Sequence, residues 1–112
     1  MTTPKIYGPD GIARETTVFT TTLPTRFFRG TMSPDTVDMQ ISIRGGPFTS
    51  DPDLLVFEAS HFTFPNPNAF PEGLDLSPGQ NLLEIRAVSL VGSLSSPAIV
   101  DVTLVQTADI GL

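Results

Sequence analysis

Three carboxylates, Glu58, Glu84 and Asp101, are the residues of this sequence that could carry out acid–base chemistry, since the chain has one histidine and no cysteine. A glycosidase uses two such carboxyl groups, one as general acid and the other as base or nucleophile, across a cleft. Each of the three occupies an outward position of a predicted strand, where a carboxylate is solvated or pairs with a cross-strand neighbour. The sequence therefore predicts no catalytic residue, and we expect the chain not to be an enzyme.

A second acidic group, Asp51 and Asp53 with Ser50 beside them, has the alternating carboxylates found in some calcium loops. Calcium takes more oxygen ligands than two carboxylates provide, so the preferred interpretation is an Asx-type turn cap. His61 is the single histidine, which excludes a histidine triad or a site with several histidine ligands. No metal and no cofactor are predicted.

Aromatic side chains could bind sugars, but the chain has no tryptophan and one tyrosine, Tyr7. Most phenylalanines alternate with polar neighbours, as core residues do. Phe48 and Phe70 are the exceptions, because they fall in predicted loops. They could plug the ends of the fold or anchor a partner.

Composition excludes several classes of protein. The chain has 112 residues, 39% of them hydrophobic, which is enough for one core and one domain. Its net charge of −6, with a single lysine and scattered arginines, argues against binding to nucleic acid or to an anionic membrane. No apolar stretch approaches the length of a membrane span, and the first residues lack the pattern of an export signal. We therefore expect no membrane insertion.

Alternating apolar residues predict the elements. The cleanest alternation spans residues 37–44, with Val37, Met39, Ile41 and Ile43 on one face. Turn signals recur between such runs and helical periodicity is absent. The sequence thus predicts an all-β, two-sheet antiparallel sandwich of about seven strands. The predicted core contains Phe28, Met39, Ile41, Phe62, Phe64, Leu83, Ile85, Val100 and Val102, and Gly30 is expected to allow the close approach of a backbone or an aromatic ring.

Three segments divide the chain. Residues 1–15 form an N-terminal arm or a first strand near Lys5, residues 16–105 form the sandwich, and residues 106–112 form a C-terminal tail. The alternating strands already supply both inner faces of the core. We therefore expect the two end segments to bury little against their own sandwich and to become ordered on a neighbouring chain.

The corner of the predicted sandwich lies in residues 74–90, where the turn Ser77-Pro78-Gly79 leads into a half-buried strand. This stretch has the pattern Leu76-x-x-Gly79-x-Asn81-x-Leu83-x-Ile85-x-Ala87, followed by Val91-Gly92-Ser93 and a last strand over residues 99–105. The pattern resembles the final hairpin of bacterial immunoglobulin-like and fibronectin type III-like domains, and the resemblance covers roughly residues 25–105. It implies an immunoglobulin-like fold and carries over no catalytic residues. Domains of this kind occur in bacterial surface proteins, in modules of secreted glycosidases and in tailed-phage virions.

Outward apolar residues indicate contacts with other proteins. Val88 and Ile99 are expected on adjacent strands, where they could form one patch. The candidate partner contacts are Val88, Ile99, Val105, Phe48, Phe70, Ile110 and Leu112.

The leading hypothesis from the sequence is a structural or interaction module of a tailed-phage virion, as a tail, baseplate or capsid-decoration protein assembled in the host cytoplasm. Its expected partners are other virion or surface-assembly proteins, or further copies of the chain in a homo-oligomer. The alternative is a carbohydrate- or receptor-binding accessory module of a bacterial surface or secreted protein, with an extracellular location. Function has to be argued from a site, because the fold hosts many functions.

Overall fold

The computed structural model describes residues 2–7 and 17–105, and this part of the chain is built from short strands. Nowhere in it does a helix occur that is long and apolar enough to cross a membrane. The strands are β1 (Lys5–Ile6), β2 (Val18–Thr21), β3 (Thr25–Arg26), β4 (Phe28–Thr31), β5 (Thr36–Ile43), β6 (Val56–Glu58), β7 (His61–Phe64), β8 (Leu74–Asp75), β9 (Gly79–Ser89) and β10 (Ala98–Leu104).

Two four-stranded sheets form the sandwich, with strand orders β1-β4-β7-β6 and β2-β10-β9-β5, and β3 pairs with β8 in a small third sheet. The all-β immunoglobulin-like sandwich is therefore confirmed. Two details differ from the prediction. The described residues hold ten strands, more than the seven predicted, because two-residue strands are too short to show a periodic pattern in a sequence. In addition, β2 pairs with β10 in parallel.

The core lies between the two sheets. All nine predicted core residues are at most 2% exposed, so that prediction is confirmed. The rings of Phe28 and Phe64 stack with their centroids 5.0 Å apart. Leu55 is also buried, although no alternation in its surroundings indicates this.

Gly30 has the role that the sequence predicted. A Cβ atom at this position would collide with the backbone oxygen of Lys5 and with the ring of Phe62. Glycine thus allows β1 and an aromatic side chain to pack directly onto β4.

Val37 corrects the predicted face of β5. The alternation predicts that Val37 lies on the core face, yet its side chain is 49% exposed. The register of β5 against β9 shifts between Thr36 and Asp38, and such a bulge takes the extra residue out of the alternation. Met39 and Ile41, beyond the bulge, face the core as expected.

The N-terminal segment also differs from its prediction. Lys5 and Ile6 pair with Thr31 and Gly30, and the amide of Tyr7 donates to the oxygen of Arg29 at 2.8 Å. Ile6 is 1% exposed, so the expectation that this segment buries little is wrong at Ile6. Residues 8–16 and 106–112, including the predicted contacts Ile110 and Leu112, lie outside the described residues.

The predicted corner is present. β8 pairs with β3, whereas β9 pairs with β5 and β10, so the chain changes sheets at the turn Ser77-Pro78-Gly79. Gly79 has φ 88°, a conformation that favours glycine.

Candidate interaction surface

The three carboxylates considered for catalysis do not form a site. Glu84 lies opposite Ile99 on the outward side of the β9–β10 pair, and Glu58 is at the end of β6 in the other sheet. The Oδ2 atom of Asp101 accepts a hydrogen bond from Nε2 of Gln80 at 2.9 Å. Glu84 and Asp101 thus share the outward face of one sheet, two positions apart in register, and Glu58 lies in the other sheet. The three do not come together as one site, and the outward face of a sheet is not a cleft between two carboxyl groups.

Asp51 serves as the cap of a turn. Its Oδ1 atom accepts from the amide of Asp53 at 2.9 Å, and its backbone oxygen accepts from the amides of Leu54 and Leu55. This confirms the interpretation of an Asx-type turn. Within residues 2–7 and 17–105, no group of three His, Asp or Glu side chains comes together as metal ligands do.

The two loop aromatics, Phe48 and Phe70, make contacts within the chain. The guanidinium of Arg86 lies 3.9 Å from the ring centroid of Phe48, and its Nε atom donates to Oε1 of Gln40 at 2.7 Å. Phe70 is half-buried in a loop whose turn is closed by a 2.9 Å hydrogen bond from its amide to the oxygen of Asn66. One face of the Phe48 ring is therefore covered by Arg86, and the contact of Phe48 and Phe70 with a partner stays a prediction.

Val88 and Ile99 do not form one patch. Both are on the outward face of adjacent strands, but Val88 lies opposite Asp38 and Ile99 lies opposite Glu84. The two positions are thus separated by about 13 Å along β9, which is four residues at the usual strand rise. Ile99 and Val105 are separately exposed, and the contact of these residues with a partner stays a prediction.

The strongest exposed apolar feature is the turn between β9 and β10. Leu90 and Val91 are each 86% exposed, more than any other large hydrophobic side chain in the described residues. Neither residue is among the partner contacts that the sequence predicts. The signal that could have found them is a pair of adjacent aliphatic residues placed immediately before a turn glycine.

Hydrogen bonds hold this turn in one shape. The amide of Gly92 donates to the oxygen of Ser89 at 2.9 Å, and the amide of Ser89 donates to the oxygen of Ser93 at 3.0 Å. The Oγ atom of Ser89 accepts from the amide of Ser93 at 3.1 Å. Gly92 has φ 83°, as in a three-residue hairpin loop that ends in a left-handed glycine. Leu90 and Val91 are therefore displayed on an ordered support.

Two further apolar residues lie at the same end of the sandwich. Leu94 is 48% exposed and bridges to Val88, and Val37 belongs to the end of β5 where Thr36 lies opposite Ser89. We call Leu90, Val91, Leu94 and Val37 the apolar tip. It combines exposed apolar residues of the β9–β10 turn, of the segment after that turn and of the end of β5.

Comparisons with known proteins bear on the fold. No family model matches the sequence, and no curated protein matches it. The chain is similar to a solved structure described as Clostridium thermocellum CbhA fibronectin(III)-like modules, with 10% sequence identity and a TM-score of 0.53 over 93% of this chain and 98% of that one. On this likeness and its two-sheet topology, the chain has a fibronectin(III)-like β-sandwich fold.

Proposed function

We propose that the chain is a non-catalytic interaction module that binds another protein through the apolar tip. The observation that carries the proposal is the display of Leu90 and Val91, each 86% exposed, on a hydrogen-bonded turn. Aliphatic side chains that are exposed to water on an ordered turn have a higher free energy than the same side chains buried against apolar atoms. A partner pocket that covers these side chains removes them from water and so gains the hydrophobic free energy of their burial.

The energetics favour contact at this turn. Burial of a leucine or valine side chain contributes about 1.5–3 kcal/mol relative to its exposed state. The turn is already ordered by the hydrogen bonds from Gly92, Ser89 and Ser93, so binding loses little further backbone entropy. Two such side chains can serve as the anchors of a small interface.

Charge around the apolar tip specifies the partner further. Asp38 lies opposite Val88, and Asp35 precedes β5 at the same end of the sandwich. A partner with an apolar pocket and a cationic rim matches this arrangement, since complementary charges at a rim speed association and select partners.

The setting we propose is the virion of a tailed phage, where the module contacts other virion proteins after assembly in the host cytoplasm. Two observations support an assembly role. The apolar tip is suited to protein contact, and the three carboxylates considered for catalysis do not come together as one site, because Glu58 lies in a different sheet from Glu84 and Asp101.

One observation favours a second setting, an accessory module of a bacterial surface or secreted protein that binds a carbohydrate or receptor. The similar solved structure is itself described as a set of modules. Binding to a glycan array that is lost on replacement of Tyr7, Phe48 or Phe70 would favour this alternative.

The test replaces Leu90 and Val91 together by serine and follows incorporation of the tagged chain into phage particles purified from the source culture. We expect the unchanged chain to copurify with particles and the double variant to be lost from them, with the same melting temperature. Val56→Ser is the matched control, because Val56 is an exposed valine on β6 and lies outside the apolar tip. Copurification of the double variant at the unchanged level would contradict the proposal.

A further inference from the structure

The outer strands of the two sheets differ in how they are protected. An open strand edge offers unpaired N–H and C=O groups to other chains, and proteins block such edges with charges, proline, bulges or short length. β1 carries Lys5 and follows Pro4, and β6 has three residues and ends at Glu58. β5 is covered in part, because Ile41 and Thr49 exchange backbone hydrogen bonds of 3.0 Å.

β2 has none of these protections among the described residues. Its sequence and the residues beside it, Thr17 to Thr22, contain no charge, no proline and no glycine, and consist of β-branched residues and one phenylalanine. No described strand pairs with the side of β2 that faces away from β10. The strand therefore has the composition of one that pairs on both sides.

The backbone of β2 can accept another strand without loss of its present partner. The oxygens of Thr17 and Thr21 accept from the amides of Asp101 and Val105 at 2.8 Å, so the odd-numbered residues bond to β10. Backbone groups alternate in direction along a strand. The amides and oxygens of Val18, Thr20 and Thr22 consequently point to the open side.

Charge favours a second copy of the same chain at this edge. Each chain carries a net charge of −6, so most surfaces of two copies repel each other. No side chain of β2 itself is charged. Among the described residues, the guanidinium of Arg26 lies 5.1 Å from the ring centroid of Phe19, and the carboxylate nearest in register is Asp101, opposite Val18 on β10. In a pair of β2 strands the two Asp101 positions would be at least about 14 Å apart, the width of three strand spacings, which exceeds the screening length of about 8 Å in physiological salt.

We infer that the chain forms a symmetric dimer in which the β2 strands of two copies pair antiparallel along their open edges. The two-fold axis passes at Thr20, so that Thr20 lies opposite the same residue of the second copy and Val18 lies opposite Thr22. Each of these three pairs exchanges two backbone hydrogen bonds, as the hydrogen-bonded pairs of an antiparallel ladder do. The two β2-β10-β9-β5 sheets then continue into one sheet across the dimer.

The first test blocks the edge. Thr20→Pro removes an amide that points away from β10, and Thr20→Lys places a charge at the centre of the pairing, so both variants keep the ladder to β10. In sedimentation velocity over a concentration series that reaches the millimolar range, we expect the unchanged chain to shift from monomer to dimer and both variants to stay monomeric. Val56→Lys, on the β6 edge of the other sheet, is the control that should still form dimers.

The second test fixes the register. The chain has no cysteine, and opposite residues of a hydrogen-bonded pair have Cα atoms about 5.5 Å apart, within the range for a disulfide. Thr20→Cys should give a disulfide-linked dimer on oxidation. Val18→Cys, on the same face of the same strand, should not, because its own copy lies about 13 Å away along the ladder.

A chain that stays monomeric throughout the series would overturn the inference, as would a dimer that neither Thr20→Pro nor Thr20→Lys weakens. Equal crosslinking at positions 18 and 20 would also overturn the proposed register. The inference is independent of the proposed partner contact, because β2 and the apolar tip are different surfaces. Leu90→Ser with Val91→Ser should therefore leave the dimer intact.

Discussion

Asn81 is a polar side chain that is fully buried, where the chain turns from one sheet into the other. Its Oδ1 atom accepts from the amide of Ser77 at 2.8 Å, and its Nδ2 atom donates to the oxygens of Ser77 and Val102 at 2.8 and 3.3 Å. The guanidinium of Arg44 donates to the same Oδ1 atom at 3.2 Å. The side-chain amide of Asn81 thus forms hydrogen bonds with backbone groups of the corner and of β10.

Replacement of this amide should destabilise the fold. Asn81→Leu keeps the approximate volume but removes the side-chain acceptor of the Ser77 amide and the side-chain donor to the oxygens of Ser77 and Val102. We expect a loss of about 1–3 kcal/mol in the free energy of unfolding, the usual effect of a buried polar group left unsatisfied. Urea denaturation measures it. Val56→Ala, at an exposed position of the other sheet, should change stability by less than about 0.5 kcal/mol, and an equal loss at both positions would contradict this account of the corner.

At the scale of the strand, the bulge in β5 means that Ile41 and Val37, predicted on one face, contribute differently to the free energy of unfolding. Ile41→Ala should lower the free energy of unfolding by about 2–5 kcal/mol, since Ile41 is buried in the core and its removal leaves a cavity. Val37→Ala should have an effect of less than about 0.5 kcal/mol, because Val37 lies in the bulge and is exposed. Equilibrium unfolding of the two variants would be compared. Similar losses would mean that the register shift is misplaced.

The hairpin between β6 and β7 carries backbone strain. Ala59 and Ser60 have φ of 50° and 71°, and they lie between the directly paired residues Glu58 and His61. A two-residue turn with both central residues at positive φ favours Asn-Gly. Ala59→Asn with Ser60→Gly should therefore stabilise the protein by about 1–2 kcal/mol, the size of the penalty for a left-handed residue.

Calorimetric melting measures this gain, which should appear as a higher melting temperature. The 2.9 Å hydrogen bond from the amide of Met32 to the oxygen of Ser60 involves the backbone alone, so the double variant retains it. The control replaces a glycine that has positive φ by alanine at another turn. Gly79→Ala places a side chain at φ 88° with open space around it, and it should lower stability by a similar amount. A lower melting temperature for the Asn-Gly variant would contradict the strain argument.

The elements that the sequence predicted are those with long alternation. β9 and β10 alternate over eleven and seven residues, and the core residues predicted on them, Leu83, Ile85, Val100 and Val102, are all buried, whereas the burial of Asn81 and Ala98 was not predicted. β1, β3 and β8 have two residues each, too few for a period to be visible. The bulge at Val37 and the burial of Ile6 depend on strands distant in sequence, which a local pattern does not encode.

At the scale of the whole molecule, the candidate site was predicted less well than the fold. The sequence predicts partner contacts at outward strand positions, in two loops and in the C-terminal tail, with Val88 and Ile99 as residues that could form one patch. The pairing register separates these two residues. The most exposed aliphatic residues instead lie in a turn. A turn has no alternating pattern, so the sequence does not indicate which of its side chains are exposed. Sandwich ends are built by loops from both sheets, and loops positioned by a rigid scaffold commonly carry function.

The most direct test of the proposed function is site-specific photocrosslinking from the apolar tip. Leu90 is replaced by a photoreactive phenylalanine derivative, and Val56, exposed on β6 outside the tip, is replaced in the same way as the control. Irradiation of the assembled source material, as particles or as cells, should link position 90 to one protein that mass spectrometry identifies, and should give no such product at position 56. A virion protein would support the phage setting, and a cell-surface protein would support the alternative. No product at position 90, or the same product in equal yield at both positions, would contradict the claim that this module acts through its apolar tip.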